Sequence, residues 1–180
     1  MESRAKSDAI AKRLYSTDFY QKSQTLFCFI SIAGEPDTRS IIRRALADGK
    51  TLCVPRTCPD GLMEAVPVDK DAIACKDTDW PRSFGIPEPP KYFRPIDEGD
   101  LDLLIVPSLA VDIDGYRLGF GGGYYDRFIT SLRKLRTHPF VTAIQFTAFL
   151  YTKKLPRESH DRPVDSIITE KEIIIPSSCH

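Results

Sequence analysis

Between residues 114 and 127 the chain reads Asp-Gly-Tyr-Arg-Leu-Gly-Phe-Gly-Gly-Gly-Tyr-Tyr-Asp-Arg, so five of these fourteen residues are glycine in a chain that has ten. Glycine loses more backbone entropy on folding than any other residue, and a cluster this dense needs a structural reason. The segment follows the apolar run Leu101–Val106 and precedes a stretch with helical character from about Tyr124. A glycine loop that opens a helix turns several backbone N–H groups toward one point. The helix dipole adds positive potential there, which suits an anion and above all a phosphate. The same composition also suits a close-packed turn with no ligand. Neither G-x-x-x-x-G-K-[ST] nor G-x-G-x-x-G is present; the second, started at Gly119, needs glycine at 124, where Tyr124 stands.

The remaining reactive side chains point to little else. The three histidines, His138, His160 and His180, form no recognisable dyad with a nearby cysteine or serine, so covalent catalysis has no support. The five cysteines, Cys28, Cys53, Cys58, Cys75 and Cys179, are odd in number and irregular in spacing. They read as reduced thiols, neither a zinc site nor a disulfide framework. Lysine plus arginine equals aspartate plus glutamate at 25 each, which argues against nonspecific nucleic-acid binding but leaves room for a local basic pocket. No apolar stretch reaches the length of a membrane span, and residues 1–18 lack a signal-peptide core, so the chain reads as cytoplasmic.

The elements that must position the loop follow from periodicity and punctuation. One domain over residues 1–180 is expected. Ser7–Tyr15 has helical character. Leu26–Ile32 reads as a strand buried on both faces, and Gly34-Glu35-Pro36 breaks it. Asp37 or Thr38 caps a helix with Ile41, Ile42, Ala45 and Leu46 on its apolar side, and Gly49 ends it. Thr51–Pro55 is the next strand, which makes a strand–helix–strand unit and a locally parallel sheet. Asp60-Gly61 reads as a turn into a hairpin arm, Leu62–Val68, and 76–95 as an ordered loop rich in proline and aromatics. Strands are expected at Leu101–Val106, Val141–Phe146, Ile167–Thr169 and Ile173–Ile175. The fold class is α/β: a three-layer open sheet, mostly parallel, with helices on both faces. The glycine loop then lies at the carboxyl ends of the strands, where such sheets bind ligands.

The run Arg-Leu-Gly-Phe-Gly-Gly-Gly-Tyr-Tyr-Asp-Arg (117–127) resembles the signature of the 5-formyltetrahydrofolate cyclo-ligase family. Other pieces are similar and in the family's order: Ser31–Thr38, Gly49–Arg56, Phe84–Pro89, Leu155–Asp161 and Val164–Thr169. The likeness spans about residues 8 to 175. It implies a fold similar to sugar-phosphate isomerases and CoA-transferases. It also implies ATP- and magnesium-dependent closure of 5-formyltetrahydrofolate to 5,10-methenyltetrahydrofolate through a phosphorylated formyl oxygen. On that resemblance Arg117, Leu118, Gly119, Phe120, Gly121, Gly122, Gly123, Tyr124 and Tyr125 line the ATP phosphates, with Arg117 and Tyr124 at the reacting end. Ile30, Glu35, Phe84, Phe120, Gly121–Gly123 and Tyr124 contact the folate, and Asp126 and Asp165 hold Mg2+.

Each role has an ordinary alternative. Arg117 could ion-pair with Asp112 or Asp114, Asp126 could serve as first-turn helix charge, and Asp165 could cap a turn. Glu35 could be a solvated loop charge, Phe84 could only pack, and Tyr124 and Tyr125 could anchor the helix to the sheet. The family's N-terminal lysine–arginine pattern, which reaches ATP, is not reproduced by Arg4 and Lys6, so a non-catalytic folate- or nucleotide-binding relative is the alternative reading. A different enzyme on a similar fold is a third. The expected partners are the two small-molecule substrates, with no nucleic acid and no membrane, and the chain is expected to be a monomer or weak dimer.

Overall fold

The structure is a computed structural model of the chain and describes residues 2–75, 79–136 and 138–177, with the side chain of Cys75 left aside. Cys179, His180 and the first three residues of the expected loop at 76–95 lie outside the described residues.

Helix α1 (Glu2–Tyr15) and the short α2 (Asp18–Lys22) lead into β1 (Thr25–Cys28). Helix α3 (Arg39–Ala47) then crosses to β2 (Thr51–Thr57), which turns back as β3 (Met63–Val68). Short α4 (Lys70–Cys75) and a two-residue hairpin, β4 (Arg82–Ser83) and β5 (Ile86–Pro87), precede β6 (Leu103–Val106). Next come β7 (Ala110–Asp112), β8 (Arg117–Leu118), α5 (Tyr124–Leu132), β9 (Phe140–Ile144), β10 (Leu150–Tyr151), β11 (Ser166–Ile168) and β12 (Ile173–Ile174).

The main sheet has the order β12-β11-β9-β6-β1-β2-β3. Its five inner strands are parallel, and β3 and β12 run antiparallel at the two edges. The alternation of β1 shows why the run from Leu26 is apolar throughout. Leu26 and Cys28 join α1 and α3 in one core, while Phe27 joins Phe128, Ile129 and Leu132 of α5 in the other. Helices thus cover both faces, as expected for parallel strands.

Helix α3 ends as its sequence indicates. Gly49 takes φ 75°, the Lys50 N–H donates to Ala45 O at 3.0 Å and the Gly49 N–H to Leu46 O at 3.3 Å. This closes the last turn in the Schellman manner. At the start, Thr38 is the N-cap but makes no side-chain cap bond; Asp37 instead accepts from the Arg39 N–H at 2.9 Å.

The path from β6 to α5 differs from the direct strand–loop–helix expected. A second, three-stranded sheet, β10-β7-β8, is built into it, with β7 and β8 forming a hairpin turned at residues 112–116. Two- and three-residue strands carry too few residues to show a period of two. The glycine loop leaves β8, and α5 begins at Tyr124 as the sequence indicated.

Candidate active site

Strand β1 has neighbours reached in opposite directions, β2 on one side and β6 on the other, which makes the gap beyond β1 and β6 the topological switch point of the sheet. A cavity of about 580 Å³ opens there. Ile32 beyond β1, Pro55 and Thr57 of β2, and Pro107 and Ser108 beyond β6 form its floor. The β4–β5 hairpin with Phe84, the glycine loop with the start of α5, and the segment around Glu158, His160 and Asp161 form its walls.

The two readings of the glycine cluster separate here. A Cβ added at Gly119 or Gly121 would meet no atom within 4 Å, and Gly121 takes φ 83°. Packing inside the protein therefore does not demand glycine at these positions. Their open faces belong to the cavity, whereas a Cβ at Gly122 or Gly123 would lie 2.8 Å from the side chain of Tyr124 or of Arg127, so the loop is open at its first half and packed at its second. Gly115 is the contrast: at φ 89° its Cβ would lie 2.8 Å from Val164 O.

Arg117 lies across the base of this loop with a side chain only 4% exposed. Its Nη2 donates to Asp126 Oδ1 at 3.1 Å, and its Nε has no hydrogen-bond partner among the described residues. Burial lowers its pKa, opposed by the adjacent charges of Asp126 and, more weakly, Asp161. Asp112 and Asp114, the partners considered from sequence, are taken by Arg157 instead. Tyr124 faces Phe84 edge-on at 6.1 Å. Tyr125 reaches inward to the ring of Phe27 at 6.5 Å, and burial raises its phenol's pKa well above its ordinary value. Both tyrosines line the cavity, so Tyr125 anchors the helix and borders the site at once.

Phe84 sits at the tip of the β4–β5 hairpin at φ 51°, 82% exposed. An aromatic held in a left-handed conformation and left this open to solvent contributes little to core packing. Phe120, 66% exposed, stands on the cavity wall as well. Glu88, which sequence reasoning passed over, accepts from the Thr57 N–H at 3.1 Å and ties the hairpin to the end of β2. Burial raises its pKa, partly offset by bonds from Thr57.

Two expected folate residues, Ile30 and Glu35, are not among those lining the cavity, although Glu35 is bonded to Ile32, which is. Ile30 is 7% exposed and packs in the core with α1 and α3; Ile32, two residues on, reaches the cavity. Glu35 accepts from the Ile32 N–H at 2.9 Å, and burial raises its pKa against that bond. The described residues of α1 line no part of the cavity, and Lys6 pairs with Glu2 at 2.7 Å.

The two expected metal ligands are not brought together. Asp165 immediately precedes β11, at the amino ends of the parallel strands and so at the edge opposite the cavity. It accepts from Arg133 at the far end of α5 and from the Val141 N–H, each at 2.7 Å. Asp126 remains in the cavity wall, which it shares with the carboxylates of Glu88, Glu158 and Asp161, and of these Asp161 is the one next in the chain to its bonding partner. The Arg162 N–H, one residue on, donates to Asp126 Oδ1 at 3.1 Å. Two carboxylates facing a glycine cradle and a buried guanidinium suit magnesium, which uses one or two carboxylates with phosphate oxygens and water. Three ionisable residues among the four of Glu158–Asp161 were the available signal.

The family model for the 5-formyltetrahydrofolate cyclo-ligase family matches residues 1–170. The chain belongs to this family. The Caenorhabditis elegans protein named probable 5-formyltetrahydrofolate cyclo-ligase is 34% identical over 137 residues, covering 74% of this chain and 66% of that protein. The mouse 5-formyltetrahydrofolate cyclo-ligase is 27% identical over 169 residues, covering 89% of this chain and 80% of the mouse protein. The solved structure of Aquifex aeolicus 5,10-methenyltetrahydrofolate synthetase superposes with a TM-score of 0.78 at 28% identity, covering 99% of this chain and 85% of that one. The cyclo-ligase family thus accounts for the mostly parallel α/β sheet, and it marks the chain as a ligase of folate metabolism.

Proposed function

We propose that the cavity seats 5-formyltetrahydrofolate beside Mg-ATP, with the phosphates on the glycine loop and the pterin against Phe84, Phe120 and Tyr124. The overall conversion, 5-formyltetrahydrofolate to 5,10-methenyltetrahydrofolate, is the family's. The observation that carries the site assignment is the glycine loop, open to the cavity at Gly119 and Gly121, beside the buried Arg117 paired with Asp126.

The formyl oxygen is a poor leaving group. Its attack on the γ-phosphorus of ATP forms the new P–O bond and expels ADP. Nitrogen 10 then attacks the activated carbon and loses its proton to solvent, the C–O bond breaks, phosphate departs and the ring closes. Such a reaction asks the protein mainly for alignment and charge neutralisation. Backbone N–H groups of residues 119–123 and the start of α5 supply fixed dipoles toward the phosphates. Arg117 supplies a full charge held in place by Asp126. Asp126 and Asp161 would hold the magnesium, which supplies further neutralisation of the phosphoryl oxygens. Ile32, Phe84 and Tyr124 cover the apolar ring, and Glu35 stands at the β1 loop to accept from the pterin's N–H groups.

The test is purified protein with 5-formyltetrahydrofolate and Mg-ATP, followed by the near-ultraviolet absorbance of the methenyl product. An ATP-dependent rise that Asp126→Ala abolishes supports the reading. Folate that stabilises the fold without any turnover supports the non-catalytic relative instead.

A further inference from the structure

Asp112 is fully buried, lies outside the cavity lining, and has no part in the reaction as described above. Its carboxylate is nevertheless saturated. Oδ1 accepts from the N–H groups of Asp114 at 3.1 Å and Tyr116 at 3.0 Å, which shapes the β7–β8 turn. Oδ2 accepts from the Leu155 N–H at 2.9 Å and from Arg157 Nη2 at 2.8 Å, which belong to a different segment. Arg157 also donates to Asp114 at 2.7 Å and lies over the ring of Tyr116 at 3.8 Å. At the other end of that segment, the Val164 N–H donates to Gly115 O at 3.0 Å. Gly115 is where a Cβ would collide with Val164 O.

One turn, residues 112–116, therefore grips both ends of the strap 155–164. The strap lines the cavity with Pro156, Arg157, Glu158, His160 and Asp161, while the same turn continues directly into Arg117 and the glycine loop. A paired buried carboxylate is often no more stabilising than a packed apolar residue of its size, so stability alone does not account for it. What it adds is direction, because the two oxygens fix two backbones relative to each other.

We propose that Asp112, acting through Arg157, is a positioning residue for the phosphate half of the site. It sets the distance between the strap acid Asp161 and the pair formed by Arg117 and Asp126. The proposal rests on the reading of those residues as the Mg-ATP site. Misplacing a charged group by about an ångström costs on the order of a hundredfold in rate, so a released strap is felt in the nucleotide and not in the folate.

The test compares wild type with Asp112→Asn, Arg157→Gln and the double variant. In Asp112→Asn the KM for ATP and the magnesium concentration for half-maximal rate rise about tenfold or more, while the affinity for 5-formyltetrahydrofolate, titrated without ATP, stays within about twofold. The double variant is no worse than the worse single one, as expected of residues acting as a unit. Unchanged ATP and magnesium dependence in a folded Asp112→Asn overturns the proposal, as does an equal loss of folate affinity or additivity in the double variant. Should Asp112→Asn not fold, Arg157→Gln, whose side chain is part-exposed, carries the same expectation and the same refutation. A wild type without turnover would fail the cyclo-ligase reading alone. The strap is then read from Mg-ATP-dependent thermal stabilisation, present in wild type and lost in the variant; its absence from wild type, or persistence in the variant, overturns the positioning role.

Discussion

Replacing Asp165 by asparagine separates an architectural carboxylate from a metal ligand. The side chain is 13% exposed and uses both oxygens, one on Arg133 and one on the Val141 N–H, each at 2.7 Å. Asparagine keeps one acceptor and turns an N–H2 group toward one of two donors, so one charge-assisted bond is lost and a donor is left facing a donor. Bonds to charged groups contribute about 1.5–3 kcal/mol each, and slight exposure trims this to about 2 kcal/mol. For a chain of this size that lowers Tm by about 4–8 °C. The magnesium requirement should stay within about twofold, because the carboxylate lies at the opposite edge of the sheet from the cavity. Asp126→Asn should instead cut kcat/KM by about a hundredfold or more at saturating folate. Thermal melting paired with a magnesium titration of the initial rate reads both. An Asp165→Asn protein with wild-type Tm and a raised magnesium requirement would refute the placement.

Phe84→Ala should weaken folate binding by about ten- to a hundredfold, the worth of about 1.5–3 kcal/mol of aromatic burial on the ligand, and leave Tm within a degree or two because the ring is 82% exposed in the free protein; titration by fluorescence checks the first and calorimetry the second. Gly115→Ala should destabilise the fold by about 1–3 kcal/mol through its positive φ and the contact with Val164 O, whereas Gly119→Ala, with no atom within 4 Å and no positive φ, should spare stability and impair ATP, an opposition that denaturant melts and KM values will show. Burial raises the Glu35 pKa above its ordinary 4.5, so the folded state holds this proton more tightly than the unfolded one and ionising the group costs stability once pH rises above 4.5. The ionised form is the better acceptor for pterin N–H groups, so folate affinity should fall as pH drops through that raised value, and Glu35→Gln should bind weakly with a flat profile.

The parts of the molecule legible in the sequence are those with a repeated signal. The continuous apolar run from Leu26, the glycine at 49 and the glycine loop leading to Tyr124 each state a local geometry, and the structure follows them, with the strand ending at Cys28, short of the Ile32 expected from the run. The parts that were not legible depend on where distant segments end up. Strands of two or three residues, such as β8 and β10, carry no period, so the small sheet that carries Arg117 left no trace. Ile30 and Ile32 both suit the end of a buried strand; only the path of the chain beyond the end of β1 at Cys28 decides that Ile30 packs in the core and Ile32 reaches the cavity. Glu88 lies between prolines in the Phe84–Pro89 segment and acquires its place from Thr57, thirty-one residues away.

The aspartates at 161 and 165 differ in another way, because the sequence did hold the deciding clue. A residue just before a strand that runs parallel to its neighbours sits at the amino edge of the sheet, and ligands of open α/β sheets gather at the carboxyl edge. Asp165 immediately precedes β11, which pairs parallel with β9, so its position in the chain already places it on the wrong side for a shared site with Asp126. Asp161 is separated from that strand by Arg162, Pro163, Val164 and Asp165, enough chain for the strap to return to the opposite edge. The Asp112 grip on Leu155 and Arg157 is what holds it there. Direction along a strand therefore decides between two carboxylates four residues apart, where residue type and local motif do not.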